Sequence, residues 1–138
     1  MVIVTDEQLR KPTSFVETGA DITEIVANLF RELKEFNAYG LAANQLGYSL
    51  RIFVMSMEPL PPICVVNPLI VKVRGSQIRE ERCLSLPGIV RKVKRPKTVT
   101  IKGLNQYWKP VRYRFNGMQA AIAYHEVDHL IGKLIIDY

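Results

Sequence analysis

Cysteine is scarce in this chain: Cys64 and Cys83 are the whole supply in 138 residues. Two thiols cannot build the disulfide framework of a small secreted domain, so reduced thiols in a cytoplasmic setting are expected. Long apolar runs are missing as well. None approaches the ~18–20 residues needed to span a bilayer, and no membrane partner is expected. The start, Met1 to Gln8 (MVIVTDEQ), has neither the basic opening nor the apolar core of a signal peptide. Repeats, linkers and low-complexity stretches are absent, and 48% hydrophobic with 23% charged residues is ordinary globular composition. Acidic residues are outnumbered, 13 against 19 basic ones, giving a net charge of +6. That excess suits a nucleic-acid or ribosomal surface, but no nucleic-acid motif accompanies it, and a solvated basic surface is the simpler reading. A single domain over residues 1–138 is expected from this length.

What is present falls into two helical patterns flanking a run of strands. Ile22, Ile25, Val26, Leu29, Phe30, Leu33 and Phe36 form the stripe of an amphipathic helix over 21–36, with Asp21 and Glu24 in capping-box positions. Short β-branched runs follow at Ile52–Met55, Ile63–Val66, Leu69–Val73, Ile89–Val93, Val99–Leu104 and Val111–Phe115, punctuated by prolines. Asn116 is placed to cap a second helix over about 117–131, closed by Gly132, and Lys133–Tyr138 reads as a last short strand. Strands gathered between helices predict an α+β fold: antiparallel strands packed around the second helix, with an N-terminal helix.

Histidine is the rarest chemistry-bearing residue, and both copies lie in His125-Glu126-Val127-Asp128-His129. Positions i and i+4 of a helix share one face, so both imidazoles can reach one metal ion, with Glu126 beside the first as a base for bound water. A catalytic site needs a third protein ligand and an open position. No histidine or glutamate follows His129. Asp137, Cys64 and Cys83 are the candidates: Cys64 sits in an apolar run where a buried, inert thiol is expected, and Cys83 ends a strand where a thiolate can face a cleft. A Cys-His-His set suits zinc or ferrous iron rather than calcium or magnesium. Asp128, tilted away from such a metal, is expected to pair with Arg95 behind the helix.

Three segments resemble one family. HEVDH is similar to the HExDH helix of peptide deformylases, ERCLS (81–85) to their EGCLS segment, and YGLAANQ (39–45) to their GLAAxQ segment, in the family's order. The resemblance implies that Cys83, His125 and His129 hold one divalent metal, Fe2+ first, with Zn2+, Ni2+ or Co2+ as substitutes. It implies hydrolysis of the N-formyl group of formylmethionine on newly made polypeptides, with formate released. Glu126 would be the base, and Gln45 and the Leu84 backbone N–H would meet the oxyanion. Tyr39, Gly40, Leu41 and Arg82 would line the substrate cleft, and Met118, Ala121 and Ile122 the methionine pocket. Arg82 stands where the family usually has glycine, and Ala38 and Tyr39 replace a glycine and an aliphatic residue. The chain stops at Tyr138, where bacterial members commonly continue into a further helix. A complete short enzyme of viral or organellar type is therefore expected, monomeric, cytoplasmic, and able to touch the ribosome through its basic surface. The alternatives are a small HExxH zinc metallopeptidase and a metal-stabilised nucleic-acid-binding module.

Overall fold

The computed structural model describes residues 6–138, so the Met1–Thr5 part of the segment read for a signal peptide lies outside the described residues. A short helix α1 (Asp6–Leu9) leads to α2 (Thr23–Glu35), then β1 (Gly40–Ala42) and a 3-10 turn (Ala43–Leu46). Strands β2 (Ile52–Met55), β3 (Ile63–Arg74), β4 (Gln77–Cys83), β5 (Leu86–Arg95), β6 (Thr98–Leu104) and β7 (Pro110–Asn116) follow, and α3 (Met118–Leu130) and a 3-10 turn (Ile135–Asp137) close the chain. The expected α+β architecture is present. Five strands form one antiparallel sheet in the order β1-β2-β3-β6-β7, and β4 and β5 pair only with each other.

The sheet is filled from both sides. Val54, Cys64 and Val66 face α2, where they meet Val26, Leu29 and Leu33. Phe53, Val65, Val99, Ile101 and Phe115 point to the other face and pack against Ala120, Ala123 and Val127 of α3. The alanines have no bulk beyond Cβ, so α3 lies close on the sheet. A third cluster joins Leu86 and Val93 of the hairpin to Leu134, Ile135 and Leu9. No helix among the described residues is long and apolar enough to cross a membrane.

Several boundaries differ from the sequence reading, each for a local reason. Helix α2 begins at Thr23, because the Asp21 carboxylate accepts a bond from the Thr23 N–H (3.1 Å) ahead of the helix and closes no capping box. Asn116 is the last residue of β7, bonded to Thr98 (2.9 Å), and Gly117, at φ 60°, turns the corner into α3. The two runs at Ile63–Val66 and Leu69–Val73 are one strand: Asn67 at φ 53° and a register shift absorb Pro68 as a bulge. Strand β4 has no apolar alternation and went unread as a complete strand. The expected C-terminal strand is instead the 3-10 turn, because the Asp137 carboxylate takes the Leu134 N–H (2.8 Å) and folds the chain back on itself.

That last turn anchors the hairpin. Leu134 is 2% exposed and Ile135 1%, and Arg10 pairs with Asp137. Leu134→Ala should cost about 2–4 kcal/mol, the usual range for a large-to-small change in a core. Denaturant unfolding of the variant and parent side by side checks this; equal midpoints would show that the segment holds nothing.

Candidate metal centre

Helix α3 carries three of the chemistry-bearing groups. His129 is 1% exposed, and its Nε2 lies 3.0 Å from Nε2 of His125. Cys83, at the end of β4, brings its Sγ to 3.3 Å from His129 Nε2. The three donor atoms lie within 4.8 Å of one another. Donors sharing one zinc-like ion sit about 3.3–3.6 Å apart, from bond lengths near 2.0–2.3 Å, so the two spacings to His129 Nε2, 3.0 and 3.3 Å, need only small adjustment. Two imidazoles and a thiol are borderline-soft ligands, and three of them leave a position open for water or substrate.

The two imidazole nitrogens face each other too closely for both rings to be cationic. Burial, then the neighbouring His125, holds His129 well below the ordinary histidine range. His125 is oriented from behind: its Nδ1 lies 2.9 Å from Glu81 Oε1, which turns Nε2 toward Cys83 and His129. Glu81 and Cys83 are two residues apart on one strand and therefore share a face. The carboxylate is held in turn by the Arg95 guanidinium through bonds of 2.7 and 2.8 Å. Arg95 also reaches Asp128 at 2.6 Å, the pairing expected for that aspartate.

Glu126 lies 4% exposed, and its Oε1 has no hydrogen-bond partner among the described residues. Desolvation is the main cause that pushes its carboxyl up to about 7, with the His125 charge opposing. Gly40 on β1 leaves the space it occupies: a Cβ built there would lie 2.6 Å from Glu126 Oε2. Gln45 is nearly buried, its Oε1 taking the Ala42 N–H (2.9 Å) and its Nε2 directed at Ser85 Oγ (3.2 Å) and Cys83 Sγ (3.8 Å). Asn44 bonds the His129 carbonyl at 2.6 Å and ties this turn to α3.

These groups open onto a cleft of about 780 Å³, with Tyr39, Gly40, Arg82 and Leu84 along its lining and Met118, Ala121 and Ile122 on the helical wall. Leu41 is the exception among the expected cleft residues: alternation along β1 turns it away, and its side chain is fully buried against α2. Cys64 lies in that same core, with burial pushing its thiol up to about 12. Asp137 is engaged by Arg10 and stands outside the donor cluster. Sequence reasoning missed Glu81 and the fit of Gly40 against Glu126. The two-residue offset of Glu81 from Cys83 was a usable signal once β4 was known to be a strand.

The profile of the family described as polypeptide deformylase matches residues 1–138. The chain belongs to the polypeptide deformylase family. A peptide deformylase of Chlorobium luteolum is 38% identical over 136 residues, covering 94% of this chain and 70% of that one. The crystal structure of a peptide deformylase from Legionella pneumophila superposes with a TM-score of 0.92 at 37% identity, covering 99% of this chain and 82% of the other. That of the enzyme from Vibrio parahaemolyticus bacteriophage VP16T, in complex with actinonin, gives 0.93 at 32% identity, covering 98% of this chain and 100% of its own. Membership implies a divalent metal, and the Cys83-His125-His129 cluster is the candidate for this deformylase.

Two measurements test the site. Cys83→Ala should lose bound metal, whereas Cys64→Ala should keep it and lose about 1 kcal/mol or somewhat more of packing; metal content of both purified proteins decides between the thiols. Gly40→Ala should keep the metal but displace the Glu126 carboxylate, cutting turnover on the order of 10²-fold, as a misplacement near 1 Å does. Parent-like turnover in that variant would mean that the glycine is not needed to seat Glu126.

Proposed function

We propose that this chain removes the N-formyl group from the N-terminal formylmethionine of newly made polypeptides, with Cys83, His125 and His129 holding Fe2+ and Glu126 carrying the proton. Zn2+, Ni2+ or Co2+ would substitute in the same donor set. The observation that carries this reading is a buried carboxylate, one of its oxygens without a partner among the described residues, beside two histidines and a thiol at the base of an open cleft.

A bound divalent ion supplies Lewis acidity, polarising the formyl oxygen and making a water acidic enough to deprotonate near neutral pH. Everything else is work for the chain. Glu126 takes a proton from the attacking water as the water oxygen bonds to the formyl carbon. Charge developing on the formyl oxygen is met by the Gln45 side-chain amide and the Leu84 N–H. When the carbon–nitrogen bond breaks, Glu126 returns the proton to the leaving amine, and formate departs. A base near neutrality suits both transfers.

Substrate has a ready template. Strand β1 is an edge of the five-stranded sheet, so an extended peptide can add to it by backbone pairing. Met118, Ala121 and Ile122 would then receive the methionine side chain, while Tyr39 and Arg82 bound the cleft beyond it. A metallopeptidase reading fits less well, since its usual third ligand is acidic or histidine and this cluster offers a cysteine.

Formate release from a formyl-Met peptide by protein purified anaerobically with iron, against a metal-stripped control, tests the activity directly. Glu126→Ala should retain its metal and lose about 10²–10⁴-fold in kcat, or more because one group acts as both base and acid. Near-parental kcat would remove Glu126 from the proton path.

A further inference from the structure

Helix α2 covers only part of one face of the main sheet. Beyond it, the outer parts of β3, β6 and β7 present Lys72 and Arg74, Thr98, Thr100 and Lys102, and Arg112 and Arg114. The register sets Lys72 opposite Thr100 and Thr100 opposite Arg114, while Arg74 lies opposite Thr98 and Lys102 opposite Arg112. Short threonines on the middle strand therefore form a floor, and long cationic side chains on the outer strands form two walls. The result is a trough of about 370 Å³ lined by Lys72, Arg74, Thr98, Thr100, Arg112 and Arg114.

Its charge is of one sign. Strands β3, β6 and β7 contain no aspartate or glutamate. The Lys and Arg residues of the trough are exposed, and none has an ion-pair partner among the described residues. Clustering like charges without counter-charges works against the fold through self-repulsion, and an anionic partner would relieve it. The core-facing residues of β6 and β7, Val99, Ile101 and Phe115, pack on the α3 side. The trough thus opens on the face opposite the metal helix and leaves the substrate cleft free.

We infer that this trough is a docking groove for the phosphodiester backbone of RNA. Two cationic ridges flanking a hydroxyl-lined floor suit a strand of phosphates lying between them, with Lys and Arg meeting successive charges and threonine available as a neutral donor. Tyr107, 73% exposed in the turn joining β6 to β7, offers a ring on which a base can stack at the end of the same hairpin. A flat anionic membrane would meet the tips of the ridges and leave the floor unused. The choice of RNA rests on the deformylase reading, because a nascent polypeptide emerges where RNA is the most abundant polyanion. Binding there would hold the enzyme near its substrate without occupying the cleft.

The test uses the full-length, metal-loaded protein and a fluorescein-labelled single-stranded RNA, followed by anisotropy across a salt series. The parent should bind with a log–log salt slope of about −3, the value for roughly four phosphates neutralised. The pair Arg112→Glu and Arg114→Glu should lower affinity at least tenfold, and the milder Arg112→Ala with Arg114→Ala should flatten the slope by about 1–2. The control pair Arg91→Glu and Lys92→Glu makes the same charge change on β5, outside the trough, and should have much the smaller effect. All variants should hydrolyse a free formyl-Met peptide like the parent. Equal losses from the trough and β5 pairs would reduce the effect to net charge and overturn the proposal. Binding to phosphatidylserine vesicles in place of RNA would overturn it too, as would no RNA binding by a parent that deformylates normally. Failure of peptide hydrolysis in the parent would strike the deformylase reading instead, which separates the two claims.

Discussion

The Arg95 guanidinium is the fastening on which the site depends. The β4–β5 hairpin shares no strand ladder with the main sheet, yet it carries Cys83, while both histidines ride on α3. Something must hold the two bodies in register to within the length of a metal bond. Arg95, 1% exposed, grips Glu81 of β4 with Nε and Nη2 and Asp128 of α3 with its third nitrogen, Nη1. Tyr138 completes the junction, its hydroxyl donating to Asp128 at 2.5 Å and its ring lying 4.8 Å below the guanidinium. A planar fork suits this task where a lysine would not, since it can satisfy two carboxylates in fixed directions. Breaking such a buried cluster by removing one partner typically costs about 3–5 kcal/mol, because the remaining charges are stranded.

The same cation separates the carboxylates into two kinds. Burial works against ionisation at Glu81, but its bonds to Arg95 and His125 prevail and hold it below the ordinary glutamate range. It stays an anion, able to orient His125. Glu126 has no such bond, and desolvation dominates there, which pushes it up to about 7. One glutamate is thus fixed as structure and the other is left poised to exchange a proton. This division of two nearby acids by environment is the arrangement acid–base chemistry needs.

The chain stated its chemistry more plainly than its architecture. His125, Glu126 and His129 were legible because helical geometry alone puts positions i and i+4 on one face. Local context favoured Cys83 over Cys64, which sits in an apolar run, but only the family resemblance made it a ligand; the decisive difference is tertiary, one thiol facing α3 and the other packed beneath α2. Strand β4 was hidden for the reason that makes it useful. Its residues QIREERC spend their side chains on Arg95, His125 and the cleft rather than on an apolar face, so periodicity could not mark it. Gly40 was legible as a small residue near substrate, but its closest neighbour, Glu126, lies 86 positions away in sequence (126 − 40).

Helix α3 shows why such a site resists pattern reading. An ordinary surface helix has one apolar stripe and one wet face. This one is covered twice: Ala120, Ala123 and Val127 rest on the sheet, while His125, Asp128 and His129 are covered by the hairpin and its salt-bridged junction. Polar residues are consequently buried on the face where solvent would normally lie, and each is tolerated through a specific partner. Two atoms of the helix are enclosed without one among the described residues: His129 Nδ1, whose ring is held at Nε2, and Glu126 Oε1. An unsatisfied buried carboxylate is expensive to keep, and Gly40 opposite it removes the side chain that would fill the gap. The fold therefore carries the cost of one unpaired acid where the cleft meets the metal ligands, and withholds that freedom from the other buried acids on the helix and hairpin.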